Sequence, residues 1–329
     1  MKVAVLDDYA GQALRLADWS PVLGRCVVHA FERNLGVPDE AAEVLADYDV
    51  ICLMRERMAV PAALIARLPK LRFIAATGTF NRSLDLEAAT ARGIPVSISA
   101  SGEAGLHAAP EMTWALLMAL ARNVPMEDRS LRAGHWQRTV GTGLHGKTLG
   151  LLGLGKVGQV VARYGRAFGM EVLAWSANLT AERAAAAGAA LVAKDELLRR
   201  ADVVSIHLVL SDRTRGLVGA AELGLMKPTA LLVNTARGAI LDEAALIEAL
   251  GAGRIAGAAL DVYDREPLPP DHPLLRLPNT VLTPHLGFGT AEVYAALYTR
   301  TVENVVAFLD GRPIRLMNPD VSIAARKGS

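Results

Sequence analysis

The run Leu149 to Gly158, LGLLGLGKVG, constrains this chain more than any other ten residues: an apolar stretch of strand type leads straight into Gly153, Gly155 and Gly158. Glycines at that spacing let the backbone turn sharply, approach a pyrophosphate closely and seat the next helix against the sheet. The helix expected over Lys156 to Phe168 aims its unpaired N–H groups and positive dipole end at the same phosphates, and Gly169 stops it. A second strand, Glu171 to Trp175, completes a strand–glycine loop–helix–strand unit, the context in which G-x-G-x-x-G marks a nucleotide site.

The remaining strands follow from short apolar runs. Val3–Leu6, Val50–Met54, Arg72–Ala76 and Pro95–Ile98 read as four buried strands without a phosphate loop, and the helix in SLDLEAATARG takes Ser83 or Asp85 as its cap and Gly93 as its stop. Residues 149–153, 171–175, 203–207, 230–235, 256–261 and 280–284 give six more, with helical segments between most of them, including one capped by Asp242. Strands alternating with helices imply parallel sheets covered on both faces. Pro110 and Glu111 open a helix that is apolar nearly all round, as expected of one running between two bodies. With 329 residues two cores are expected, and the boundaries fall at 1–104, 105–290 and 291–329, the last a helix returning to the first domain before a loose polar tail. Residues 126–145, with Trp136, form an excursion that reads equally as a subunit contact or a surface loop.

Charge and cysteine usage narrow the class. Thirty-five basic against 34 acidic residues leave a net charge of +1, so nothing calls for nucleic acid or a membrane surface. Cys26 and Cys52 have no metal-ligand spacing and read as buried free thiols, which fits a reducing cytoplasm; no metal is expected. Two aspartates within the first eight residues rule out a signal-peptide core there, and no apolar run is long enough to span a bilayer.

Ligands of open parallel sheets bind beyond the carboxyl ends of the strands. Three late strands end in polar side chains: ALLVNT runs into Ala236 and Arg237, AGAAL into Asp261 with Glu266 beyond, and TVLT into His285 and Gly287. Arg237 can grip a carboxylate bidentately and polarise a carbonyl, His285 can exchange a proton near neutrality, and Glu266 can hold the other imidazole nitrogen. Asp261 can accept a hydrogen bond from a nicotinamide carboxamide. Singly, each residue has an ordinary structural reading as an ion pair, turn or loop residue; as a set on adjacent strand ends they read as chemistry on a hydroxy acid. His207, closing its strand, is balanced between a structural and a site role, and His107 and His135 have no placing argument.

The motifs GKTLGLLGLGKVGQVVARYGRAFGMEVLAW, ADVVSIHLVLSDRTRGLVG, NTARGAILDEAAL, AALDVYDREP and TPHLGFGT together resemble the D-isomer-specific 2-hydroxyacid dehydrogenase family over nearly the whole length. The resemblance implies an α/β protein in which a Rossmann domain, a doubly wound parallel sheet, is inserted into a smaller flavodoxin-like substrate domain. It implies a homodimer formed through the nucleotide domain and hydride transfer between NAD or NADP and a small D-2-hydroxy or 2-keto acid. It places the catalytic set on Arg237, Glu266 and His285. The dinucleotide contacts fall on Gly153, Gly155, Lys156, Val157, Gly158, Ser176, Thr235, Ala236, Arg237, Asp261, His285, Gly287 and Phe288. Substrate contacts fall on Arg55 and on the turn Gly78, Thr79, Phe80, Asn81, with Arg237.

Two departures stand out. Phe80 replaces a glycine of that turn and narrows the substrate side. Ser176 replaces the acid that takes the ribose hydroxyls in NAD-specific relatives, which removes repulsion of a 2′-phosphate, yet no arginine stands at 177 or 178 to attract one, so NAD stays slightly ahead of NADP. Two rivals remain. A dinucleotide-sensing corepressor would keep the same residues, but no recruiting tail is visible; formate oxidation would not need a proton-transferring His285.

Overall fold

The computed structural model describes residues 1–36 and 38–321. The chain divides into two compact units, one built from Met1–Ala104 and the chain from Thr290 onward, the other from the uninterrupted stretch Gly105–Gly289.

The first unit holds a five-stranded parallel sheet of β1 (Lys2–Val5), β2 (Val27–Ala30), β3 (Val50–Leu53), β4 (Phe73–Thr77) and β5 (Val96–Ser99), in the order β2-β1-β3-β4-β5. β3 and β4 are buried along their whole length, which is why they read from sequence as unbroken apolar runs. β2 was not among the four expected strands. It lies at the sheet edge with an alternating, half-exposed pattern, so burial on two faces never wrote an apolar block there. Asp85, not Ser83, caps the helix Leu86–Ala91 by accepting from the Ala88 N–H, and Gly93 follows in a left-handed conformation.

The helix Ala291–Leu309 belongs to this unit. Val293, Leu297 and Val305 are fully buried, each such side chain contributing roughly 1.5–3 kcal/mol, and Phe308 stacks on Phe73 at 4.5 Å. The segment after it is not loose up to Asn318. Arg315 C=O accepts from Ile98 N–H, Met317 N–H donates to Val96 C=O, and the Asn318 side chain bonds Val96 N–H and Ile94 C=O, extending the edge of β5. The rest of the expected tail, from residue 322, lies outside the described residues. Both cysteines are buried free thiols.

The second unit holds seven parallel strands, β6 (Thr148–Leu152), β7 (Glu171–Trp175), β8 (Ala190–Leu191), β9 (Val203–Ile206), β10 (Leu231–Asn234), β11 (Gly257–Leu260) and β12 (Thr280–Leu282), in the order β12-β11-β10-β9-β6-β7-β8. Six were expected; β8 is a two-residue exposed edge, too short to leave a pattern. The order reverses beside β6, and the crevice at such a switch point is where doubly wound sheets bind nucleotides.

Pro110 does not open its helix. The helix runs Gly105–Ala121 with Pro110 in its second turn, where proline's fixed φ suits the helix but the bond to the Leu106 carbonyl is forfeited and the ring crowds that carbonyl. Its all-round apolarity is accounted for within this unit: Trp114, Leu116, Leu117 and Leu120 share a core with Leu149, Leu151, Val203 and Val233. The expected excursion is partly a helix, Val124–Arg132, followed by an irregular stretch in which Trp136 and Val140 are 83% and 90% exposed. Among the described residues no helix is long and apolar enough to cross a membrane.

Candidate active site

Because all seven strands of the second unit are parallel, their carboxyl ends share one edge, and the sequence puts its polar residues there: Gly153 after β6, Ser176 after β7, His207 after β9, Thr235–Arg237 after β10, Asp261 after β11 and His285 after β12.

The three loop glycines are required for different reasons. A Cβ on Gly153, whose φ is +104°, would lie 2.6 Å from the His207 carbonyl oxygen, and one on Gly158 would lie 2.2 Å from the Gly153 carbonyl oxygen, so the loop and helix Lys156–Ala167 pack too closely for any side chain. A Cβ on Gly155 meets nothing within 4 Å. Gly155 caps the helix without a side-chain bond, and Lys156 and Val157 stand exposed or half-exposed beside it. Open space over uncapped N–H groups at the positive end of a twelve-residue helix is what a pyrophosphate needs, so the loop fits a dinucleotide. His207 sits against this loop with its Nε2 2.8 Å from Ser205 Oγ, and burial pushes its imidazole down to about 4, keeping it neutral. That favours the structural side of its balance. Ser176 follows β7 half-buried, its carbonyl closing a turn with Leu179 N–H, while Arg183 Nη1 donates to the Asn178 carbonyl.

His285 and Glu266 form the centre of the site. Glu266 Oε2 is 2.6 Å from His285 Nδ1, and Glu266 Oε1 accepts from the Tyr263 N–H at 3.0 Å. Burial alone would raise the Glu266 carboxyl, but the His285 contact and charge, the Tyr263 N–H and the nearby Arg237 guanidinium together hold it below its usual range. His285 adopts φ +54°, left-handed backbone that is uncommon for a non-glycine residue and gathers at functional sites. Arg237 stands half-buried on the loop after β10, Nη1 donating to the Ala236 carbonyl; the loop is shaped by Asn234, whose side chain accepts from Ala236 N–H and donates to the Arg237 carbonyl. A Cβ on Gly238 would fall 1.9 Å from the Tyr263 carbonyl carbon, so the arginine and glutamate loops touch backbone to backbone.

Asp261, expected as an acceptor for a carboxamide, stands just past the end of β11. It is 0% exposed, and both oxygens are engaged by the chain itself: Oδ1 by Thr283 Oγ1 and Leu286 N–H, Oδ2 by Gly287 N–H. Burial raises its carboxyl despite those donors. Residues that sequence reading missed are the supports: Tyr263, Thr283, Asn234, and Thr113, whose hydroxyl lies 2.7 Å from that of Thr235. Only the polar starts of NTARG and TPH hinted at Asn234 and Thr283; Thr113 lies on a distant apolar helix and left no signal.

In the first unit, Arg55, Gly78 and Asn81 come together at the ends of β3 and β4. Arg55 has φ +56°, its N–H donates to Thr77 Oγ1, and its guanidinium lies where a Cβ on Gly78 would come within 3.2 Å. Asn81 is a brace and not a free donor: its amide donates to the Arg55 carbonyl and its oxygen accepts from Ser83 N–H. Phe80 is 47% exposed with the Arg82 guanidinium 5.0 Å over its ring, and Thr79 is exposed beside it.

A phosphate-cradling glycine loop, a cation and a carboxylate-held imidazole on one sheet edge define a dinucleotide-dependent oxidoreductase. Comparison with known proteins sharpens this. Residues 114–287 match the family described as D-isomer specific 2-hydroxyacid dehydrogenase, NAD binding domain. The chain is 43% identical over 268 residues to a glyoxylate reductase of Aeropyrum pernix, covering 78% of this chain and 79% of that one. It is 40% identical over 279 residues to a D-3-phosphoglycerate dehydrogenase of Archaeoglobus fulgidus, covering 84% of this chain and 52% of the relative, so it spans about half the length of that protein. An oxidoreductase crystal structure from Ralstonia solanacearum superposes with a TM-score of 0.91 at 39% identity, over 98% of each chain. The chain belongs to the D-isomer-specific 2-hydroxyacid dehydrogenase family. It is an enzyme of the class acting on CH–OH donors with a nicotinamide dinucleotide.

Proposed function

We propose that the chain interconverts a D-2-hydroxy acid and its 2-keto acid, with His285 as the acid–base group. The 2.6 Å Glu266–His285 pair beside Arg237 carries this reading. When bound, the nicotinamide ring supplies the hydride exchange. The chain's own part is the rest. An ionised Glu266 accepts from Nδ1, which leaves Nε2 as the nitrogen that gives a proton to the substrate's carbonyl oxygen in reduction and takes it back in oxidation. Arg237 holds the carboxylate and polarises the carbonyl. Asn234 fixes the Arg237 loop, as Tyr263 fixes Glu266.

For the first unit, we assign substrate recognition to Arg55 and to the Gly78–Phe80 turn, with Asn81 setting the turn's shape. NAD is the favoured dinucleotide and NADP a weaker alternative, because Ser176 neither repels a 2′-phosphate nor attracts one and Arg183 is turned to the Asn178 carbonyl. A homodimer through the second unit is supported by its exposed Trp136 and Val140, and light scattering on the purified chain tests it. Activity is tested with a matrix of 2-keto acids against NADH and NADPH, for wild type and His285→Ala. Turnover that falls by at least a hundredfold in the variant is expected; near-normal turnover would remove His285 from its role.

A further inference from the structure

We propose that the second unit carries a binding pocket for a small hydroxy acid, at the edge of its sheet opposite the catalytic loops. The pocket encloses about 130 Å³ where helix Gly105–Ala121 ends, helix Val124–Arg132 begins and β10, β11 and β12 start; Leu120, Met126, Arg129, Leu231, Asn279 and Thr280 are among its walls. At roughly 10–15 Å³ per water it has room for on the order of ten waters, or for one organic molecule of about as many heavy atoms. β10, β11 and β12 run in parallel from this pocket toward Arg237, Asp261 and His285. β10 and β11 are four residues each, a span of about 13 Å, so an occupant touches none of the catalytic side chains.

Two features set the chemistry of the ligand. The first is an acceptor without a donor. Asn279 Nδ2 donates to the Leu250 carbonyl at 3.3 Å and to the Ala256 carbonyl at 3.4 Å, which fixes the orientation of the amide, and Oδ1 is buried with no hydrogen-bond partner among the described residues. Thr280, the next residue, does not serve it, since its hydroxyl donates to the Leu277 carbonyl at 2.9 Å. A buried acceptor left without a donor is costly, and a hydroxyl group in the pocket supplies one. The second feature is a cation without a counter-charge. Among the described residues Arg129 is the single charged member of the pocket wall, and its exposed guanidinium makes no hydrogen bond or ion pair there. Helix Val124–Arg132 starts at the same wall, and Asn123 caps it with no side-chain bond, so the positive end of the helix adds to the same sign. A carboxylate for Arg129 and a hydroxyl for Asn279, joined by a short hydrocarbon against Leu120 and Leu231, make a small hydroxy acid.

The test titrates the full chain with L-lactate, with propionate, which lacks the hydroxyl, and with 1,2-propanediol, which lacks the charge. Calorimetry gives affinity and amide exchange gives the place, on wild type, Arg129→Gln and Asn279→Ala, with NADH affinity as the control. We expect L-lactate to bind in the millimolar range and to slow exchange of the Leu231, Thr280 and Val281 amides at least threefold, leaving those of Arg237, Leu286 and Gly287 unchanged. Propionate and 1,2-propanediol should bind at least tenfold more weakly. L-lactate affinity should fall at least fivefold in Arg129→Gln, whose exposed charge is partly screened, and at least tenfold in Asn279→Ala, with NADH affinity within twofold of wild type in both. If Asn279→Ala loses protection throughout β11 and β12, Arg129→Gln and the propionate comparison decide. Absence of heat and of any exchange change at tens of millimolar L-lactate would overturn the proposal. So would binding that both variants leave intact, or slowing confined to the catalytic edge. Slowing that follows protein concentration and not L-lactate would put a second copy over the pocket and overturn it too. None of these readouts requires turnover, so they stand apart from the acid–base assignment of His285.

Discussion

Replacing Glu266 by glutamine removes one negative charge and leaves every atom of the contact in place. The amide oxygen can still accept from His285 Nδ1, which preserves the ring's partner, while the amide NH2 then faces the Tyr263 N–H, so that acceptor is lost together with the charge assistance. A charged hydrogen bond contributes about 1.5–3 kcal/mol against about 1 for a neutral one. The pair is about a third open to solvent, 29% and 33% by side chain, which screens part of the difference. What remains is about 1–2 kcal/mol, or roughly five- to thirtyfold in kcat for reduction at saturating dinucleotide. The pH profile gives the sign. The Glu266 carboxyl lies below its ordinary value of 4.5 in the folded chain, so its contribution is fully present above that value and is lost as pH falls through the folded one. Removing the carboxylate therefore abolishes the acid loss due to Glu266. Steady-state rates from pH 4 to 10 test this. An acid limb unchanged in the variant, with kcat within twofold of wild type, would refute the assignment of Glu266 to His285.

Three further outcomes follow from the geometry. Gly158→Ala, whose methyl would collide with the Gly153 carbonyl, should weaken NADH binding at least tenfold, whereas Gly155→Ala has room in the unliganded loop and should weaken binding only through contact with the bound pyrophosphate; equal NADH affinity of Gly155→Ala and wild type would place the phosphates elsewhere. Ser176→Asp should raise the NADH over NADPH preference in kcat/KM about tenfold or more, and no change would move the ribose site away from β7. His207 is held neutral down to about 4, so the stability it confers is full above its ordinary 6.5 and lost as pH falls between the two; His207→Gln should flatten that part of the denaturant-midpoint profile, and an unchanged slope would contradict its burial.

What was legible in the sequence tracks how strongly local physics writes itself into residue order. The glycine loop was readable because three close backbone approaches admit no side chain, and the central strands because burial on both faces demands apolar runs. β2 and β8 were not, since an edge strand is buried on too little of its surface to be distinctive. Pro110 misled because a proline suits the first turn of a helix better than the second, and the packing of Trp114 and Leu117 outweighs the lost bond. At the site, residue types pointed to chemistry but not to orientation. Asp261 lies just past its strand end, where alternation no longer fixes the direction of a side chain, and only the structure shows it turned inward to Leu286 and Gly287. For Asn81 the resemblance concerns the backbone of its turn and left the side chain unread; the structure turns that side chain to the Arg55 carbonyl and Ser83 N–H.

The first unit is assembled from both ends of the described chain, with Gly105–Gly289 in between. On a ribosome, Phe73 and Val96 emerge long before Phe308 and Asn318, which cover or extend them. At about 5–20 residues per second, on the order of ten to forty seconds pass before those partners exist. Through that interval the second unit, one continuous stretch, can close on itself while the first waits with an open apolar face and an unpaired β5 edge. The molecule is therefore most exposed to chaperones, and to mispairing with neighbouring nascent chains, at the unit that is made first.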